Sequence, residues 1–347
     1  MKAVIYQGPH EFTVEERPKP CILEPTDAIV KVTHTTICGT DLHILQGDIA
    51  STPGCILGHE GVGVIDSVGI GVTNLQPGER VVIPAINGCG RCVYCRRGMA
   101  SQCEVTGFAF GMVLDGMQAE YVRVPHAMFS LYVLPEEIDP GVGVLLSDVL
   151  PTAYEGSILN GGVGMGSSVV ILGAGPVALA VLLLLKKLAG PSQVVVVGRG
   201  QSRLGVAKML GADHVLTCLD GDAQVVKSAK ALTGNRGFDV VIEAVGLTEV
   251  LETSQALVAA GGTIALLGAH MYKCDLHLES LWLRNITLKT LLVNTSSVPD
   301  LLRVVKAGKI HPEVLISHEY SFQDIEAAYE AFKTASKHGM LKVLITV

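Results

Sequence analysis

Apolar residues follow two different rhythms along this chain, and the change comes near residue 151. Before it, short runs of Val, Ile and Thr recur: Ile29 to Thr33, Gly61 to Val68, Arg80 to Ile83. Turn signals such as Gln76-Pro77-Gly78-Glu79 separate them. β-branched runs punctuated by Gly and Pro predict strands joined by tight turns, so residues 1–150 read as a mainly antiparallel β domain.

After residue 151 the strands become continuous apolar runs with helices between them. Val169-Val170-Ile171-Leu172 leads through a glycine turn into a helical run from Val177 to Leu188. Val194 to Val197 is the next strand and Arg203 to Leu210 the next helix. Val215-Leu216, Val240 to Ile242 and Thr263 to Leu267 continue the alternation. Strands alternating with helices predict an α/β, doubly wound parallel sheet over residues 151–290. A last segment, 291–347, carries a helix candidate (Asp324 to Thr334) and a final strand (Leu341 to Val347).

Composition narrows the class. The chain has 347 residues, 49% apolar and 17% charged, as a folded globular protein does. A net charge of -7 without a basic run argues against nucleic acid as partner. The longest apolar run, Pro176 to Leu185, is too short to span a bilayer, so no membrane role is expected. The chain opens without a secretory pattern. Nine cysteines, an odd number with several at metal-ligand spacing, favour a reduced, cytoplasmic setting over a disulfide framework.

Two motifs carry chemistry. Cys89, Cys92, Cys95 and Cys103 are spaced C-x2-C-x2-C-x7-C. Four thiolates fill a tetrahedron and leave no position for substrate, so this is a structural zinc shell. Gly173-Ala174-Gly175-Pro176-Val177-Ala178 sits between strand and helix and reads G-x-G-x-x-A. Gly173 makes the tight turn, Gly175 lets backbone approach a pyrophosphate, and the helix N-terminus at Pro176 and Val177 faces the phosphates. The next strand ends at Gly198, followed by Arg199 and, four residues on, Arg203. No carboxylate stands there to hold a ribose 2′-hydroxyl, and two guanidiniums could pair with a 2′-phosphate. NADP(H) is therefore favoured over NAD(H). The alternative is that both arginines are solvated, or that Arg199 stacks on the adenine of either cofactor.

Cys38-Gly39-Thr40-Asp41-Leu42-His43 and Gly58-His59-Glu60-Gly61 complete a pattern. With Val68 to Val81, the four-cysteine stretch and the Gly-Ala-Gly-Pro turn in order, the whole chain resembles the zinc-dependent medium-chain alcohol dehydrogenases. The nearest motif match is to bacterial NADP-dependent secondary-alcohol enzymes. That resemblance implies a GroES-like β domain carrying two zincs, a Rossmann domain, and a C-terminal segment returning to the first domain. It implies Cys38 and His59 as ligands of a catalytic zinc. The third is Asp148, where many primary-alcohol members have Cys; a helix N-cap is its alternative role. Glu60 matches a glutamate able to approach the zinc, with a supporting salt bridge as its other reading. Thr40 would accept the substrate proton and His43 pass it outward, unless His43 is only a helix-surface histidine.

The expected enzyme transfers hydride between NADP(H) and a small secondary alcohol or its ketone or aldehyde. Apolar Ala85 and Ile86 weigh mildly against the nearest rivals, a threonine, polyol or primary-alcohol dehydrogenase. Phe108, Phe110, Leu114 and Trp282 could join the pocket. A zinc-ribbon interaction protein is a remote alternative, disfavoured by the acidic charge. A homo-oligomer, tetramer or dimer, is expected. Cys21, Cys55, Cys218 and Cys274 read as packed thiols, and His270 is among nine histidines without a role.

Overall fold

The computed structural model describes residues 1–347, the side chain of Asp220 excepted. The chain forms two compact units. The first comprises Met1–Pro151, Val293–Lys333 and Lys342–Val347, and the second Thr152–Leu292 and Thr334–Leu341.

The first unit is built on a seven-stranded sheet. Its path runs Ile316–Ser321, Lys342–Thr346, Ala28–Ile37, Gly61–Val68, Arg80–Ile83, Tyr132–Val133, and Tyr121–Val124 also pairs with Ala28–Ile37. All pairs are antiparallel except Ile316–Ser321 with Lys342–Thr346. A hairpin, Lys2–Gly8 with Glu11–Glu16, stands beside it. Val30, Val32, Ile65, Val81, Ile83 and Val122 form one apolar cluster. Each such side chain contributes about 1.5–3 kcal/mol when fully buried. The register sets the site: Thr35 pairs with Gly61 and Ile37 with Val343. Three chain segments thus end side by side, carrying Cys38, Glu60 and Lys342.

The second unit holds six parallel strands in the order His214–Thr217, Gln193–Gly198, Ser168–Leu172, Phe238–Glu243, Val258–Leu266, Thr287–Thr290. Chain order reverses between Ser168–Leu172 and Phe238–Glu243, the switch point where doubly wound sheets bind dinucleotides. Val169 to Leu172 and Val194 to Val197 are buried, as strands covered on both faces must be. The helix Pro176–Leu184 starts with proline at its first position, and every residue from Ala178 to Leu184 is buried. A helix apolar all round belongs in a core. It continues into a wider π-type turn over Leu185–Ala189.

The GroES-like and Rossmann architecture expected from the sequence is present. Differences lie in extent. The strand expected from Thr263 starts at Val258, and the helices Asp222–Ala231, Thr248–Leu257 and Val298–Lys306 are present beyond those expected. No helix among the described residues is long and apolar enough to cross a membrane.

Candidate metal centres and cofactor turn

Both metal centres lie in the first unit. Donor atoms of Cys89, Cys92, Cys95 and Cys103 all fall within 4.8 Å of one another. Their sulfurs accept backbone N–H bonds: Cys89 N to Cys103 Sγ at 3.3 Å, Cys92 N to Cys89 Sγ and Cys95 N to Cys92 Sγ at 3.4 Å. Such donors favour thiolates. Burial opposes the charge at Cys103, but N–H groups of Cys89 and Val105 with the Thr106 hydroxyl bring its pKa down to about 5. Burial and neighbouring sulfurs push Cys95 up to about 12. Four crowded thiols cannot all ionise without a cation among them.

The second centre gathers Cys38, His59, Glu60 and Asp148 within the same 4.8 Å limit. Cys38 follows the strand Ala28–Ile37 and opens the helix Gly39–Gln46. His59 and Glu60 precede the strand Gly61–Val68, and Asp148 ends the helix Pro140–Ser147. His59 is reached through Gly58, whose φ of +94° and close approach to Gln118 exclude a side chain; a Cβ would lie 2.9 Å from the Gln118 nitrogen.

His59 is 1% exposed. Its Nε2 lies 3.6 Å from Glu60 Oε1 and 3.8 Å from Asp148 Oδ2, and its Nδ1 faces Asp41 Oδ1 at 3.3 Å. Both ring nitrogens and Glu60 Oε2 lack a hydrogen-bond partner among the described residues. Buried polar atoms are rarely left so, and a metal ion is one occupant that satisfies them. Burial should strip His59 of a proton, yet the charges of Asp41 and Cys38 outweigh it and hold its pKa well above the ordinary value. The field of this pocket favours a cation. One thiolate, one imidazole and carboxylates form a donor set that suits zinc.

Several supporting residues escaped the sequence reading. Lys342 Nζ donates to Glu60 Oε1 at 2.5 Å, both side chains being almost wholly buried. Burial opposes the ammonium, but Glu60, then Cys38 and Asp148, raise the pKa of Lys342 above the ordinary lysine value. Burial pushes Glu60 upward while Lys342 pulls it back. Asp41 Oδ2 accepts from the Cys38 backbone at 2.8 Å and from Gln118 Nε2 at 3.3 Å, and Tyr329 donates to Gln118 Oε1 at 2.8 Å. The spacing of Asp41, three residues after Cys38, is a helix-capping signal that could have marked it.

Thr40 Oγ1 lies 3.9 Å from Cys38 Sγ. His43, one helical turn on, is half-buried with Nδ1 2.9 Å from Asp48 Oδ2. The Phe108 ring stands edge-on to His59 at 5.4 Å between centroids, and packs against Ile86, Ala100 and Val293. Ala85 is buried, its N–H bonded to the Ser147 carbonyl beside Asp148. Phe110 and Leu114 belong to the sheet core instead. Trp282 lies in the other unit, 67% exposed.

In the second unit Gly173 adopts φ +121° and its N–H bonds the Val197 carbonyl at 2.7 Å. Gly175 caps the helix begun by Pro176 and Val177, with open space where a Cβ would stand. A Cβ on Gly198 would fall 2.5 Å from that of Ala174, so the strand end abuts the glycine turn and cannot carry a carboxylate unmoved. Arg199 is exposed. Arg203 differs from expectation: its Nε and Nη2 donate to the Met340 carbonyl at 3.1 and 2.5 Å. That fold contact engages the Arg203 guanidinium, whereas the exposed Arg199 has no hydrogen bond or ion pair among the described residues.

Comparison with known proteins agrees with this geometry. Residues 24–136 match the alcohol dehydrogenase GroES-like domain and residues 176–307 the zinc-binding dehydrogenase family. The chain is 33% identical to an alcohol dehydrogenase of Cupriavidus necator over 99% of its length and 98% of the relative's. It is 32% identical to L-threonine 3-dehydrogenase of Pyrococcus furiosus, covering 96% and 95% of the two chains. The apo form of zinc dependent alcohol dehydrogenase 2 from Streptococcus pneumonia superposes with a TM-score of 0.95 at 42% identity, covering 100% of this chain and 98% of the other. The chain belongs to the zinc-dependent medium-chain dehydrogenase/reductase superfamily of alcohol dehydrogenases, and is an NAD(P)-dependent oxidoreductase.

Proposed function

We propose that this enzyme interconverts small, apolar secondary alcohols and their ketones or aldehydes, with NADP(H) as preferred cofactor. The observation that carries the reading is the cluster of Cys38, His59, Glu60 and Asp148 around the unpartnered His59 Nε2. Cys38, His59 and Asp148 would hold the catalytic zinc, and the four cysteines a structural one. When bound, zinc polarises the alcohol or carbonyl oxygen, and the nicotinamide accepts or returns hydride.

The chain's own residues do the rest. Lys342 holds the Glu60 carboxylate by one oxygen, which leaves Asp148 as the third ligand and Glu60 in reserve. Asp41 orients the His59 ring from behind, as carboxylates commonly do for metal-bound imidazoles. Thr40 receives the substrate hydroxyl proton. His43, steadied by Asp48, hands it to solvent, a task suited to an imidazole. Phe108, Ile86 and Ala85 give the site an apolar wall, which supports a small hydrocarbon substituent over a polyol.

Gly198 and the exposed Arg199 support NADP(H): a 2′-phosphate meets no carboxylate there and gains one guanidinium. Arg199→Ala is expected to lower the NADP+ over NAD+ preference by about tenfold in kcat/KM. The kinship with L-threonine 3-dehydrogenase supports a second reading, an amino-alcohol substrate. A panel of 2-propanol, sorbitol and L-threonine against both cofactors, with zinc counted per chain, separates them. Highest kcat/KM for 2-propanol with NADP+ and two zincs per chain is expected. Preference for threonine, or for NAD+, overturns the substrate or cofactor assignment respectively. A homo-oligomer is also proposed, since Leu278, Trp282 and Leu283 lie exposed just before the edge strand Thr287–Thr290; light scattering tests it.

A further inference from the structure

The Rossmann unit holds a second cluster of reactive side chains, separate from the zinc ligands. Glu243 ends the strand Phe238–Glu243 and is wholly buried. Its Oε1 accepts N–H bonds from Val245 and Gly246 at 2.7 and 2.8 Å, and its Oε2 lies 3.0 Å from His270 Nε2. A carboxylate held this way accepts and does not donate, so the His270 proton stays on Nε2 and the lone pair on Nδ1. Nδ1 meets Cys274 Sγ at 3.5 Å. The same sulfur lies 3.6 Å from Oγ1 of Thr248, first residue of the ten-residue helix Thr248–Leu257, and 3.4 Å from the Tyr272 carbonyl. Nucleophile, base and orienting carboxylate therefore stand in line, the arrangement that activates a nucleophile.

Cys274 and His270 border a cavity of ≈ 480 Å³ whose walls include Leu251, Leu266, Leu276, Leu288 and Leu292. An apolar body with one polar group would fill it, the polar group toward the thiol. Cys55, by contrast, is a buried thiol whose pKa burial, then Asp115, pushes up to about 12.

We propose that Cys274 captures apolar α,β-unsaturated aldehydes or ketones as thioether adducts. His270 Nδ1 takes the thiol proton, and the sulfur lone pair forms a C–S bond to the β-carbon. The C=C π pair moves onto the carbonyl as an enolate. The α-carbon then takes the proton back from Nδ1, which restores the C=O. No oxidant, reductant or leaving group is needed.

The test is site-resolved mass spectrometry of the zinc-loaded enzyme treated with (E)-2-octenal, reading the rate at each cysteine. Cys274 is expected to react about tenfold or more faster than Cys21, an exposed thiol outside any such cluster. His270→Gln, with unchanged far-UV circular dichroism, is expected to slow Cys274 about tenfold and leave Cys21 unaltered. Acrylamide, an acceptor without an apolar tail, should lose most of the Cys274 advantage. Equal rates at Cys274 and Cys21 in the unmutated enzyme overturn the proposal without reliance on any variant. So does a folded His270→Gln protein with an unaltered Cys274 rate.

Discussion

The two candidate metal centres of the first unit are made from the same cysteine chemistry by opposite means. Cys89 to Cys103 closes within fifteen residues, and its sulfurs are wrapped by their own loop's N–H groups. The other centre draws Cys38, His59, Glu60 and Asp148 from separate segments, and Lys342 from the last strand pins one of its carboxylates. A shell closed by one short loop can fill every coordination position, and so braces a lobe. A shell assembled from several strand and helix ends can hold one donor back. That reserve is what a reacting oxygen needs, because an open position is the condition for Lewis-acid chemistry.

The contrast can be broken most forcefully at the open centre. Cys38→Ser or Asp148→Ala should lower kcat/KM by about a thousandfold or more, while circular dichroism stays unchanged and zinc falls from two to one per chain. A loss of both zincs would mean that the centres are not independent. Cys103→Ser should do the reverse. Unfolding free energy in urea should drop by several kcal/mol, with kcat/KM per folded molecule within about threefold of the parent.

Lys342 sharpens the distinction further. Lys342→Met leaves the Glu60 carboxylate buried and unpaired, at a cost of about 3–5 kcal/mol, and Glu60→Gln in the same chain should recover part of it. The folded pKa of Lys342 is raised, so its stabilisation is complete below the unfolded lysine value of about 10.4 and is lost only as pH climbs through the folded value. Without the ammonium, burial acts unopposed on Glu60, so the gap between parent and Lys342→Met should narrow as pH falls and that carboxyl takes up a proton, and close at the other end only in strong alkali. The smallest effect is expected at His43→Gln, about tenfold in kcat with KM little changed, since water can replace a proton carrier at the edge of the site.

How much of this was legible depended on distance along the chain. The glycine turn at Gly173 and the parallel strands around it were readable because each signal is local. Asp148 was reached only through family resemblance, since nothing in Leu146-Ser147-Asp148 distinguishes a ligand from a cap. Lys342 looked like an ordinary strand lysine; its burial follows from Val343 pairing with Ile37, a register no local pattern states. Arg203 shows the converse case. Its charge and position suggested a phosphate, but the Met340 carbonyl, 137 positions away, already engages it. Cys274 and His270 carry no signal singly in the sequence, and come into line only through Glu243.

By itself, then, the sequence determined the four-cysteine cluster, the glycine turn and the GroES-like and Rossmann architecture. Loop closure over a few residues costs little entropy, and hydrophobic periodicity declares each element directly. Tertiary structure decided which carboxylate Lys342 restrains, that Arg203 is engaged by the Met340 carbonyl, and that Phe108 stands edge-on to His59. Those outcomes rest on strand order and register, set by the packing of whole sheets, and no short stretch of residues encodes them.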